Sequence, residues 1–171
     1  GHGLRMNYIE DNYQTLDHVF TMEAYVYLTE EAFLMPIEFW WGGEEPEFGR
    51  LIWDGTRFGF GQSEDGDINE IVLEDEDRDL ETGWYHVVVT CDGSNMNLYV
   101  DGELSGSGSY SGGMYGLWYY WVAKTDFPAY AIGYINIYNV TASEEQVKMM
   151  YDPEYAPATT EAPVTTGTSE N

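Results

Sequence analysis

Gly83-Trp84-Tyr85-His86-Val87-Val88-Val89-Thr90-Cys91-Asp92-Gly93-Ser94-Asn95-Met96-Asn97-Leu98-Tyr99-Val100-Asp101-Gly102 reads as two strands and two turns. Trp84 to Thr90 is rich in valine and aromatic residues, which suit a pleated, half-buried surface. Asp92-Gly93-Ser94 interrupts that run. Met96 to Val100 returns, and Asp101-Gly102 opens a further hairpin, because an Asp-Gly pair tolerates the positive φ values of a tight turn.

The same pattern extends in both directions. In Phe20 to Leu28, Phe20, Met22, Ala24, Val26 and Leu28 share one face, and Thr21, Glu23, Tyr25 and Tyr27 share the other. Leu51-Ile52-Trp53 and Thr56-Arg57-Phe58 flank Asp54-Gly55. A two-residue turn there would pair Trp53 with Thr56 and Leu51 with Phe58, with Leu51, Trp53, Phe58 and Phe60 on one face. Ile68 to Leu73, Leu117 to Ala123 and Ala131 to Tyr138 read as further strands. Turns recur at roughly 8–12-residue spacing, the pattern of an all-β sandwich or barrel. Ser143-Glu144-Glu145-Gln146 is a capping box with acids in the first turn, and it opens a short helix to about Tyr151. The expected fold is all-β: a two-sheet antiparallel β-sandwich of jelly-roll form with one short C-terminal helix. Residues 1–152 form its body. Residues 153–171, with Pro153, Pro157, Pro163 and five threonines, read as an extended linker to a further module.

Composition narrows the partners. Thirty-one acids against six bases give a net charge of −25, which leaves no cluster of Lys and Arg for phosphate. Nucleic acid is therefore excluded as the expected partner, and so is an anionic membrane surface. Neutral glycans and cations remain. Cys91 stands alone, so the chain has no internal disulfide, and its strand-end position reads as a small buried residue. No apolar run reaches membrane-spanning length.

Two segments resemble a known family. Gly83 to Thr90 with Asp92-Gly93, then Asn97-Leu98-Tyr99-Val100-Asp101-Gly102, is similar to the central hairpins of laminin-G-like, concanavalin A-like jelly rolls. Ala131-Ile132-Gly133-Tyr134-Ile135-Asn136-Ile137-Tyr138-Asn139, followed by the capped helix at Ser143, resembles the family's closing strand and helix. Phe20 to Leu28 is similar to its early strand, with Tyr25 where Trp is usual. The resemblance covers about residues 4 to 152 and implies two sheets. It leaves function open, since this fold carries lectins, carbohydrate-binding modules, adhesion domains and glycosidases. It also implies a structural calcium as a possible cofactor, with unassigned ligands.

The aromatic runs carry the functional expectation. Phe39-Trp40-Trp41 precedes Gly42-Gly43, and Trp118-Tyr119-Tyr120-Trp121 follows a Gly/Ser-rich loop. Strand neighbours point to opposite faces, so Trp118 and Tyr120 share one side and Tyr119 and Trp121 the other. Four consecutive large rings cannot all enter one core, and exposed rings stack on the C–H faces of sugars. The candidate ligand-binding residues are Trp40, Trp41, Trp118, Tyr119, Tyr120 and Trp121, with Tyr25 and Tyr27 as face residues. The expected ligand is a polysaccharide or oligosaccharide. The alternatives are loops folded over the rings, or a protein-binding adhesion surface. Trp53 and Trp84 are assigned to structure.

Signals for chemistry are sparse. Asp65, Asp67, Asn69 and Glu76 space like an EF-hand loop, but Glu70 stands where that loop needs glycine. Glu74 to Asp79 reads as a solvated loop. No strand presents the paired carboxylates of a glycosidase on one face, and His2, His18 and His86 lack partners at motif spacing. Asn139-Val140-Thr141 is a glycosylation sequon. The expectation is a non-catalytic module with no required cofactor, secreted or at a cell surface, beside other modules in its chain.

Overall fold

Alternating apolar and polar residues impose strands, and strands with one apolar face must pair face to face. The computed structural model describes residues 4–7, 19–29, 34–41, 47–64, 67–79, 81–110, 119–122 and 130–154, with side-chain surroundings within 19–29, 51–61, 72–79, 81–110 and 132–154. One sheet runs β1 (Leu4–Asn7), β10 (Tyr119–Val122), β3 (Leu34–Trp41), β4 (Glu47–Trp53), β5 (Phe58–Glu64) and β6 (Asp67–Leu73). The second runs β11 (Tyr130–Tyr138), β2 (Val19–Leu28), β7 (Gly83–Asp92), β8 (Asn95–Val100) and β9 (Glu103–Ser109). Every pairing is antiparallel. This is the expected two-sheet sandwich.

Its core is the apolar face read from the sequence. Phe20, Met22, Ala24, Val26 and Leu28 of β2 are buried against Leu51, Trp53, Phe58 and Phe60 of the facing sheet, with Val87, Val89, Met96 and Leu98 beside them. Trp53 and Phe58 meet at 4.8 Å between ring centroids. Cys91 is a fully buried thiol outside any disulfide, and burial pushes its pKa up, so it packs as a small apolar group.

The first hairpin corrects the expected register. Trp53 pairs with Phe58 and Leu51 with Phe60, so the turn holds four residues, Asp54 to Arg57. Asp54 causes this: its Oδ1 accepts from the Thr56 amide at 2.8 Å and the Arg57 amide at 2.7 Å, an Asx turn that lengthens the loop. The slip is two residues, and side chains alternate with period two, so the apolar face is unchanged. At Asp101-Gly102 the two-residue turn holds: Val100 pairs with Glu103, and both turn residues have positive φ, 53° and 80°.

Glu103 to Ser109, within the Ser/Gly-rich stretch, forms strand β9, and Gly106 lies where this edge meets the other sheet. The Asp75 amide donates to the Ser105 carbonyl at 2.7 Å, joining the end of β6 to β9. A side chain at Gly106 would collide with the Leu73 carbonyl.

Helix α1 (Glu144–Met150) begins with the predicted capping box, Ser143 and Gln146 each bonding the other's backbone. Val147 docks on Val88 and Tyr99, outside the sheet of β7 and β8. Ser143→Ala is expected to lower stability by about 1 kcal/mol, read as a shifted urea midpoint, because it strips one amide at the helix start of its acceptor.

Candidate functional site

The sheet containing β3 and β10 gathers most of the predicted ligand residues. Its register forms rows running across the strands. Leu4, Val122, Ile37, Leu51 and Phe60 form one row, and its described members Leu51 and Phe60 are core. Asn7, Tyr119, Trp40, Phe48 and Ser63 form a row of opposite parity. Arg5, Trp121, Glu38, Arg50 and Gly61 form the other row of that parity. Tyr119 and Trp40 are thus direct partners across neighbouring strands, about 4.8 Å apart, and Trp121 lies one alternate position along. Tyr120, paired with Phe39, and Trp41, paired with Glu47, fall in rows of core parity. Trp118 lies outside the described residues. Farther along the alternate-parity face, Ile52 is buried, so the face is covered at that end.

Tyr25 and Tyr27 are on the other sheet and separate in character. Tyr25 is 2% exposed, which corrects its assignment as a ligand-face residue. Its hydroxyl donates to the Asp152 carbonyl at 3.0 Å and accepts from the Asp152 amide at 2.9 Å. Burial pushes the phenol up to about 12. The segment after α1 covers this ring and stacks Tyr151 on His86 at 5.8 Å and 22°. Tyr27 is half-buried and packs edgewise on Trp84 at 5.4 Å.

Beside them is a constellation that sequence reasoning missed. Glu23 is 3% exposed although it lies on the outer face of its sheet. Its carboxylate accepts from His86 Nε2 at 3.1 Å, Tyr134 Oη at 2.7 Å, Asn136 Nδ2 at 3.1 Å and Tyr138 Oη at 3.0 Å. Burial alone would push this carboxyl up; the hydrogen bonds from His86, Tyr134, Asn136 and Tyr138 outweigh it and bring it from 4.5 down to about 2. The donors come from β7 and β11, which flank β2. The only sequence signal was the spacing Tyr134-x-Asn136-x-Tyr138, a period-two set of donors on one strand.

The acidic run 74–79 is no solvated loop at its start. Glu74 is 4% exposed. It accepts from the Phe58 amide at 2.8 Å and forms an ion pair with Arg78 at 2.5 Å. Arg78 in turn donates its amide to Thr56. The run therefore clips the first hairpin to the seam between sheets. A cleft of about 440 Å³ opens over Glu74 to Arg78, Leu104 and Ser105. Glu74 is consumed by its own partners, Asp67 and Asn69 lie in a paired strand, and no group of three metal-ligating side chains converges among the described residues. No helix among them is long and apolar enough to cross a membrane.

Comparison with known proteins agrees with this architecture. The profile of the concanavalin A-like lectin/glucanases superfamily matches residues 7–148. No curated protein matches the sequence. Among solved structures, the chain is similar to domain 4 of AbnA, a GH43 extracellular arabinanase from Geobacillus stearothermophilus, in complex with arabinotriose. That likeness has 14% identity and TM-score 0.60, and covers 88% of this chain and 72% of that one. It is similar to the binding domain of botulinum neurotoxin DC in complex with SialylT, at 12% identity and TM-score 0.63, over 86% of this chain and 38% of that one. It is also similar to Trypanosoma rangeli sialidase in complex with the inhibitor DANA, at 20% identity and TM-score 0.52, over 78% of this chain and 22% of that one. The chain thus spans well under half the length of the last two.

Proposed function

This chain belongs to the concanavalin A-like lectin/glucanase superfamily, and from that premise we propose that it is a non-catalytic carbohydrate-binding module acting outside the cell beside other modules, with residues 153–171 as its linker. The observation that carries the reading is the register of the larger sheet. It sets Tyr119 against Trp40 and places Trp121 one alternate position away, in rows that alternate with the core rows. Aromatic residues spaced by a rigid sheet suit successive sugar faces. The net charge of −25 favours a neutral glycan over a uronate or sialylated one. Two of the similar structures hold arabinotriose and SialylT, which supports carbohydrate as the ligand; only the first accords with a neutral one.

The non-catalytic reading has its own support. A glycosidase acid needs a carboxyl with a raised pKa facing the leaving group. Four donors hold Glu23 ionised, and the carboxyl that burial does push up, Asp101, accepts from the His86 amide in the tight turn between β8 and β9. No calcium is required for stacking.

Affinity electrophoresis and calorimetry against xyloglucan, mannan, pectin, xylan, cellulose and arabinan test the proposal. Retardation by at least one neutral polymer is expected. Trp40→Ala or Trp121→Ala should weaken it about tenfold, the equivalent of about 1.4 kcal/mol for one stacked ring. Silence across the panel, or reducing-sugar release that depends on a carboxylate, would overturn it.

A further inference from the structure

The smaller sheet carries its own partly open outer face. Helix α1 and Tyr151 cover its β7–β8 half, through Val88, Tyr99 and His86. The β11 edge is left. There Asn136 and Tyr138 are exposed and Tyr134 is half-buried, in one period-two line. Alternate residues in a strand are about 6.7 Å apart, so the line spans about 13 Å. Tyr27 and Trp84 extend the face one position beyond Tyr25.

All three side chains of the line are fixed by a single acceptor. Tyr134 and Tyr138 donate their hydroxyls to Glu23, and Asn136 donates its amide. Each phenol is pinned at its tip, so the rings have lost their freedom before any ligand arrives. Burying a carboxylate to do this is costly, and an apolar set would serve stability as well. What the arrangement adds is preorganisation, the property that lowers the entropic cost of binding. The exposed Asn136 amide stands between the two rings. The Tyr134 ring, backed by Tyr25 at 5.3 Å between centroids, the exposed Tyr138 ring and the Asn136 amide between them match the C–H faces and hydroxyls of a sugar chain. The buried negative charge beneath disfavours an anionic sugar.

We propose that Tyr134, Asn136 and Tyr138, held by Glu23, form a second binding strip for a neutral oligosaccharide, on the sheet opposite the Trp40–Tyr119 face. The module then holds two glycan segments on opposite sides. The strip shares with the preceding proposal only its class of ligand.

Nuclear magnetic resonance of assigned Tyr134 and Tyr138 ring signals in the full chain tests it, with arabinotriose, xylohexaose and cellohexaose as probes. Saturable shifts of both rings with at least one probe are expected. They should persist in Trp40→Ala/Trp121→Ala and weaken about tenfold in Tyr138→Ala, the loss of one stacked ring. Asn136→Ala should weaken them too; the wild-type titration stands whether or not these variants fold. Shifts confined to the Trp40–Tyr119 sheet would overturn this strip and leave the first proposal standing. Ring shifts at Tyr134 and Tyr138, with Trp40→Ala and Trp121→Ala without effect on binding, would do the reverse. No shift with any probe would overturn the strip.

Discussion

Glu23→Ala is expected to lower stability by about 4 kcal/mol, the largest loss from any single truncation on the outer faces. With Glu74, the residue is one of two buried acids among the described residues. Removing its carboxylate leaves His86 Nε2 buried without an acceptor, because His86 is fully enclosed and its Nδ1 already lacks a partner among the described residues. Tyr134, Asn136 and Tyr138 lose their common acceptor as well, but water can reach them. The cost therefore concentrates on the imidazole and on the cavity beneath Tyr25, which packs on His86 at 4.6 Å. Glu23→Gln keeps the shape and one acceptor oxygen, and should lose about half as much. Tyr138→Phe, at the exposed rim, should lose about 1 kcal/mol. Urea midpoints at pH 7 check the series; a Glu23→Ala protein within 1 kcal/mol of the parent would refute the account.

The same carboxylate makes stability depend on pH with a defined sign. Its folded pKa, about 2, lies below the ordinary 4.5. A depressed acid stabilises the fold when it is ionised, so the contribution is complete above about pH 5 and is lost as the pH falls toward 2. The gap corresponds to about 3 kcal/mol at about 1.4 kcal/mol per pH unit. Asp54 and Asp92 are also lowered, Asp54 by the Thr56 and Arg57 amides acting against its burial, and Asp92 by the Asn95 and Ser94 amides. The parent therefore contains several acid-sensitive terms. The difference between parent and Glu23→Gln isolates one of them: it should shrink between pH 5 and pH 2.

How far the chain could be read follows from which forces act locally. Period-two patterning located Phe20 to Leu28, Trp84 to Thr90 and Ala131 to Tyr138, because burial on one face writes itself into alternate residues. It also survived an error: the slip at Asp54 moved the hairpin by two residues, and parity hid it. Turn chemistry was legible where the backbone decides, at Asp101-Gly102, and illegible where a side chain decides, at Asp54. The Asp101-Gly102 hairpin implied a strand after it, but the extent Glu103 to Ser109 was not legible, since Gly106 is required by a neighbour 33 residues away in sequence, Leu73. Tyr25 and Tyr27 looked alike because they share a face. The segment at Tyr151 and Asp152 separates them, and nothing in the strand itself announces that cover. For the same reason nothing in the strand marked Glu23: its partners are 63, 111, 113 and 115 residues distant. The aromatic candidates were found as a list, and only the register divides them. Tyr119, Trp40 and Trp121 fall in one parity class, Tyr120 and Trp41 in the other.

Gly106→Val is expected to cost about 3 kcal/mol and to loosen the seam where the sheets meet. A Cβ at this position would fall inside contact distance of the Leu73 carbonyl oxygen and carbon, with the Glu74 Cα close behind. All three are backbone atoms, so no rotamer change relieves the overlap; one strand has to move. The strands in question are β6 and β9, joined by the Asp75 amide to the Ser105 carbonyl at 2.7 Å. Displacing either one strains that bond. It also pulls on Glu74, which holds the Phe58 amide and the Arg78 guanidinium. The damage should therefore spread to the Asp54–Arg57 hairpin, to which Arg78 is bonded through Thr56. Amide exchange gives the local test: the Asp75 and Arg78 amides should exchange faster, while Val87 and Val89 in the sandwich centre keep their protection until global unfolding. Gly83→Ala is the matched control. A Cβ there meets nothing within 4 Å, and its effect should stay within about 0.5 kcal/mol. If Gly106→Val matched the parent in urea midpoint and in Asp75 exchange, the two sheets would not meet at this glycine, and the seam described above would be wrong.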